Sequence, residues 1–220
     1  MHYTELNKTL RPACPLFRGK TNFHLVFTLP HGLNGLIRQN RAALFKLLFD
    51  AATQTLLEFG AERLEAQLGI TAVLHTWSQT LGDHYHLHCI VTGGGVANDQ
   101  SRWVATSPRY LFPVRALSRR FRGKYLAGLG SLHATGKLEF HGQLQGLAGP
   151  EPFAALRRSA AQREWVVYAK RPFAGPEQVL AYLSRYTHRV AISPEGCWPR
   201  RQRPSPSPTG ITRMVPARRR

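Results

Sequence analysis

The segment His84-Tyr85-His86-Leu87-His88-Cys89-Ile90-Val91-Thr92 constrains the fold more than any other stretch of the chain. Polar and apolar residues alternate through it, and it is rich in aromatic and β-branched types, the pattern of a strand. Successive strand side chains point to opposite faces. His84, His86 and His88 therefore share one face, while Leu87 points into a buried one. Two imidazoles at i and i+2 stand roughly 7 Å apart along a strand. They can converge on one divalent cation, for which His is the commonest ligand. His84 is available as a third ligand, as are His75 and Gln79 on the preceding strand and loop, and the sequence does not choose among them. The alternative is a set of ordinary core or surface histidines, which the threefold alternation disfavours.

The neighbouring segments supply a sheet for this strand. Residues 23–29 (Phe-His-Leu-Val-Phe-Thr-Leu) read as a strand ending at Pro30. Residues 33–59 read as a helix, with Leu44, Leu47, Leu48, Ala51, Ala52 and Leu56 on one face and Gly60 as its stop. Residues 70–78 form the strand before the histidines and pair with 84–92 as an antiparallel hairpin, closed beyond by a Gly93-Gly94-Gly95 turn. A helix follows at 114–129, then a minor strand at 136–141 and a strand at 164–169. A helix at 176–188 opens with Pro176 in its first turn, and a strand begins at Val190. The expected class is α+β, a mainly antiparallel sheet flanked by helices. Residues 1–21 form an irregular leader, 22–193 the folded domain, and 194–220 an Arg/Pro-rich tail whose composition predicts disorder.

Charge narrows the partner. The chain has 30 Lys+Arg against 12 Asp+Glu, a net +18 over 220 residues. The tail holds seven Arg and one Glu, so most of the excess belongs to the folded part. Such a protein meets a polyanion, nucleic acid first and a membrane surface second. Cys14, Cys89 and Cys197 are odd in number and scattered, which excludes a disulfide framework and a four-Cys zinc site and fits a reducing cytoplasm. Neither a signal peptide nor an apolar stretch of about 20 residues is present, so no membrane association is expected.

Two further groups carry chemistry. Tyr182 and Tyr186 stand at i and i+4, one turn apart on a single helix face. A Tyr hydroxyl can attack phosphorus and form a covalent enzyme–DNA intermediate; otherwise the two simply pack half-buried on an amphipathic helix. Arg185 and Arg189 lie close enough to pair with phosphate. Arg119, Arg120, Arg122 and Lys124 interleave with Leu117, Phe121, Tyr125 and Leu126. That mixture suits a single-stranded backbone, with Phe121 or Tyr125 available for base stacking, or else is a solvated basic face. Trp103, Trp165 and Tyr168 read as core.

These segments together resemble a known family. Phe23–Pro30 with His31, the run Thr71-Ala72-Val73-Leu74-His75-Thr76-Trp77, and His86-Leu87-His88-Cys89 look like the two-tyrosine transposases of rolling-circle insertion sequences. So do Trp165–Lys170 and Tyr182-Leu183-Ser184-Arg185-Tyr186-Thr187-His188-Arg189. The resemblance covers about residues 22–193 and implies the HUH endonuclease superfamily: an antiparallel sheet whose central strand carries His86 and His88 around Mg²⁺ or Mn²⁺. It implies that Tyr182 and Tyr186 are nucleophiles, that one nicks single-stranded DNA at an element end to leave a 5′-phosphotyrosine, and that the other serves the matching transfer step. Host replication or helicase functions are implied partners.

The sequence departs from that family at both ends. Residues 1–20 hold only Cys14 where the family has a Cys-rich zinc-binding segment, and the expected strand after Ile192 gives way to the tail. Codons exist for residues 203–219 that, shifted by one base, read as a strand with a basic end. The expectation is a truncated, frameshifted copy with impaired activity. The alternatives are a non-catalytic nucleic-acid-binding remnant and a replication initiator or relaxase.

Overall fold

The computed structural model describes residues 22–78, 82–109, 111–173 and 213–214. Its strands are β1 (Asn22–Thr28), β2 (Ala66–Trp77), β3 (Asp83–Ala97), β4 (Trp103–Ala105), β5 (Val167–Phe173) and β6 (Arg213–Met214). Its helices are α1 (Asn34–Gln39), α2 (Arg41–Leu64), α3 (Val114–Ala134) and α4 (Pro150–Gln162). The strands form one sheet in the order β5-β1-β3-β2-β6, with β4 paired to the far end of β3. Every pairing among these strands is antiparallel. The class is α+β, as the sequence implied. No helix among the described residues is long and apolar enough to cross a membrane.

Alternation sorts the two faces of the sheet. Phe23, Leu25 and Phe27 of β1, Leu87, Cys89 and Val91 of β3, and Ile70 and Ala72 of β2 are buried in one cluster with Leu44, Leu48, Ala52 and Leu56 of α2. Leu117, Phe121, Tyr125 and Leu129 of α3 complete it. Phe121 meets Phe27 edge-on at 5.0 Å and Trp165 at 5.4 Å, geometry that aromatic pairs prefer. The opposite face carries the histidines.

Asn40 accounts for two departures from the sequence reading. The helix expected over 33–59 is broken there, at φ −120° and ψ 37°, and resumes as α2. The minor strand expected at 136–141 does not form. Its extended backbone is instead satisfied by side-chain amides: Asn40 Nδ2 donates to Glu139 O at 2.9 Å and Asn40 Oδ1 accepts from Glu139 N at 2.7 Å. Gln39 makes the same reciprocal pair with His141, at 3.0 and 2.9 Å. Two amide side chains thus stand in for a neighbouring strand, and the kink is what aims them.

The glycines expected to punctuate the chain serve close approach instead. α2 passes Gly60 and ends at Leu64; a Cβ on Gly60 would lie 2.8 Å from Leu68 Cγ, so the glycine lets β2 start against the helix. β3 runs through Gly93-Gly94-Gly95 to Ala97 rather than turning. Gly94 takes φ +154°, and a Cβ there would sit 2.4 Å from Val104 O. This is where β4 crosses tightly over β3. Strand β5 begins at Val167, three residues later than expected, because Trp165 turns into the core and donates from Nε1 to Ala160 O at 2.9 Å. Trp165 is core as expected, whereas Tyr168 is 56% exposed. Helix α4 has no counterpart in the sequence reading. The leader 1–21 lies outside the described residues, as does the tail apart from Arg213 and Met214, which pair with Ala72 and Thr71.

Candidate metal centre

Pairing register builds the site. In β3, His86 lies opposite His75 of β2 and Thr28 of β1, and His88 lies opposite Val73 and Val26. Partners in a ladder share a face, so His75, His86 and His88 converge on the side away from α2 and α3. One ligand atom from each of these three lies within 4.8 Å of the others. Among the described residues this is the one group of three such donors. Of the third positions left open by the sequence, the geometry brings His75 beside His86 and His88, while the ring of His84 lies tilted between those of His86 and His31 at 4.8 and 5.2 Å. Gln79 lies outside the described residues.

Hydrogen bonds orient two of the three rings. His86 Nδ1 donates to the carbonyl of His84 at 2.9 Å, since a carbonyl can only accept. That fixes the tautomer and leaves the Nε2 lone pair of His86 for a cation. His88 Nδ1 lies 2.8 Å from Nε2 of His24, whose ring stacks parallel to it at 5.0 Å. If His88 donates in that bond, its Nε2 is likewise the ligating atom. His24 is 3% exposed and sits on β1, two strands across from His75. The sequence reading missed it: its position in an alternating strand shows the polar face, but only the β1–β3 register places it beside His88.

Burial sets the protonation state. It lowers His75 to about 4, reinforced by the imidazoles of His86 and His24. His86 is also lowered to about 4, again first by burial, against the hydrogen bond to His84 that raises it. His88 is pushed down furthest, by burial and then by its three histidine neighbours. All three are neutral at pH 7, the form that ligates a cation. The start of β3 is pinned beside them: Arg38 pairs with Asp83 at 2.7 Å, and Asn34 Nδ2 donates to Asp83 O at 2.9 Å.

The basic helix divides into two sides. Arg120 pairs with Glu62 at 2.7 Å and lies over the Phe59 ring at 4.5 Å. Lys124 pairs with Glu58 at 2.6 Å. These two cations face α2. Arg119 is exposed, and Arg122 donates from Nη1 to Arg163 O at 2.9 Å. Phe121 and Tyr125 are fully buried, which removes both as stacking surfaces for bases. Their spacing serves the core. Tyr182, Tyr186, Arg185 and Arg189 lie outside the described residues.

Comparison with known proteins gives concordant relatives. A family described as putative transposase matches residues 69–196, which take in most of β2, all of β3 and the tyrosine pair. The chain is 48% identical over 173 residues to the putative transposase y4qJ of Sinorhizobium fredii, covering 78% of this chain and 44% of that protein. It is 31% identical over 173 residues to the transposase for insertion sequence element IS801 of Pseudomonas savastanoi pv. phaseolicola, covering 77% of this chain and 40% of that one. The chain thus spans less than half the length of these relatives. A conjugative relaxase, TrwC, solved in complex with oriT DNA as a metal-bound structure, is 15% identical, with a TM-score of 0.42 over 75% of this chain and 70% of the relaxase.

Proposed function

The chain belongs to the putative transposase family, and on that premise we propose that it nicks and joins single-stranded DNA in rolling-circle transposition through a covalent 5′-phosphotyrosine. The observation that carries this reading is the convergence of His75, His86 and His88 on one sheet face, with ligand atoms within 4.8 Å of one another. A divalent cation held there would supply a Lewis acid for a non-bridging oxygen of the scissile phosphate. Mn²⁺ or Mg²⁺ is the proposed ion. Three nitrogen donors without a carboxylate favour Mn²⁺ over the harder, oxygen-seeking Mg²⁺.

Tyr182 and Tyr186 are the proposed nucleophiles, supported by their one-turn spacing within the segment the family matches. The phenol oxygen of one forms a bond to phosphorus as the bond from phosphorus to the 3′ oxygen breaks. The phenol gives up its proton to solvent, and the 3′ oxygen leaves and takes up a proton from solvent. The phosphotyrosine keeps the energy of the cut bond, so rejoining to a second 3′-OH needs no nucleotide cofactor. The second tyrosine then serves the matching transfer step. His84 O and His24 hold the rings of His86 and His88 in the orientation that presents their ligating nitrogens. Arg119, Arg122, Arg185 and Arg189 are the proposed phosphate contacts, and single-stranded DNA at element ends is the substrate, with host replication or helicase functions as further partners in the cytoplasm.

The test uses the full chain with a pool of randomised single-stranded oligonucleotides and Mn²⁺. A covalent adduct that resists detergent should form, disappear with EDTA, and be absent from the Tyr182→Phe/Tyr186→Phe double variant. Binding without any adduct in the unmutated chain would leave only a nucleic-acid-binding protein.

A further inference from the structure

Val166 and Tyr168 are large apolar residues left exposed, at 61% and 56%. Their place in the sheet gives that exposure a meaning. Tyr168 lies opposite Val26 of β1, and Val26 lies opposite His88 of β3. Tyr168 therefore shares the face of the histidine cluster, two strands from His88, at about 10 Å given a strand spacing of 4.7–4.9 Å. Val166 precedes it on the same face, and its carbonyl accepts from Thr28 N at 3.0 Å.

A groove of about 460 Å³ opens beside these residues, between the first half of α3 and the entry to β5. Arg115, Arg119, Arg122, Glu164 and Val166 contribute to its lining. The arginines follow one another at i, i+4 and i+7, on one side of the helix over about 10 Å. Arg115 and Arg119 are exposed, and among the described residues neither has an ion pair. Arg122 spends one N–H on Arg163 O, leaving others of its five. Glu164 is the single carboxylate in the lining, so three cations face one anion there. Arg120 and Lys124, close by on the helix, are already paired with Glu62 and Glu58.

We infer that this groove and Tyr168 form the track by which a single DNA strand reaches the metal centre, with Arg115, Arg119 and Arg122 on its phosphates and Tyr168 stacking under a base. The inference rests on the proposed substrate and adds its path. A charged strip that follows a backbone, beside an exposed ring on which a base can stack, is the combination that single-strand binders use. The groove meets the sheet at the entry to β5, the edge strand among the described residues, and α3 lies on the face opposite the histidines, so the path rounds that edge at Val166 to reach Tyr168 on the histidine face. A strand laid there passes from the arginines over Val166 and Tyr168 toward His88.

The experiment measures the affinity of the full chain for a fluorescent single-stranded oligothymidine as salt is varied, with EDTA present so that nothing is cut. Arg115→Ala/Arg119→Ala should weaken binding at least tenfold. It should also lower the slope of log affinity against log salt by about 1.4, because two phosphates no longer meet a cation. Tyr168→Ala should weaken binding about tenfold with the salt slope unchanged, and Tyr168→Phe should restore it. Arg120→Ala/Lys124→Ala should change affinity less than threefold. Unchanged affinity and slope in Arg115→Ala/Arg119→Ala would overturn the track, while binding by the unmutated chain would leave the substrate standing. Failure of the unmutated chain to bind single strands would overturn both.

Discussion

His24 Nε2 lies 2.8 Å from His88 Nδ1, and the two rings are parallel to within 8° at 5.0 Å. A hydrogen bond to the non-ligating nitrogen fixes ring orientation and tautomer, and losing such a partner costs about 10- to 100-fold in metal affinity in well-studied sites. His24→Leu keeps the bulk of the side chain and removes the acceptor. Its affinity for Mn²⁺, titrated by electron paramagnetic resonance, should fall at least tenfold, and His24→Asn should recover part of the loss. Equal affinity in a folded His24→Leu protein would show that His24 has no bearing on the centre.

The choice of third ligand is checked by two alanines. His75 belongs to the three-histidine group and His84 lies outside it. His75→Ala should lose more than 100-fold in Mn²⁺ affinity, and His84→Ala less than fivefold. The reverse order would move the centre outward along β3, towards His31.

Acid should weaken the metal-free fold in a defined window. An unfolded histidine takes up its proton near pH 6.5, whereas His75 and His86 in the fold do so only near about 4. Between those values the unfolded chain binds more protons, so stability falls as pH falls. The contribution is complete above pH 6.5 and drains away towards pH 4, on the order of a few kcal/mol in all. The urea midpoint of the EDTA-treated chain should fall steadily from pH 7 to pH 5. A midpoint that stays level across that range would mean that these rings are freely solvated.

Phe121 should behave as core. It is fully buried and touches Phe27 and Trp165 edge-on. Phe121→Ala should cost about 3–5 kcal/mol of folding stability, read as a lower denaturation midpoint. A variant of full stability with weakened DNA binding would restore the stacking role that its spacing first suggested.

Local pattern made β3 legible. The alternation that puts His86 and His88 on one face and Leu87 on the other is complete within a few residues, and the structure reproduces it. What stayed hidden depends on register or on packing between elements. His24 becomes a neighbour of His88 only through the pairing of β1 with β3. All four basic residues of 119–124 look alike along the chain. Only the packing of α3 on α2 turns Arg120 and Lys124 to Glu58 and Glu62 and leaves Arg119 outside. The extended segment at 136–141 carries strand-like residues, but Gln39 and Asn40 fill its hydrogen bonds before a strand can. Gly94 reads as a turn because the sequence does not show that β4 will pass against it.

The opposition of His75 and His86 in the β2–β3 ladder has a consequence for how the chain reaches its native state. A slip of one residue in that pairing carries one strand's side chains to the other face. His75 would then point into the apolar layer while His86 and His88 faced away from it, and no ion could bridge the two strands. An ion that binds all three rings therefore favours the one alignment in which they meet, and disfavours neighbouring alignments by the whole of its binding free energy. In that sense an ion held by the three histidines would act as a proofreader of the hairpin.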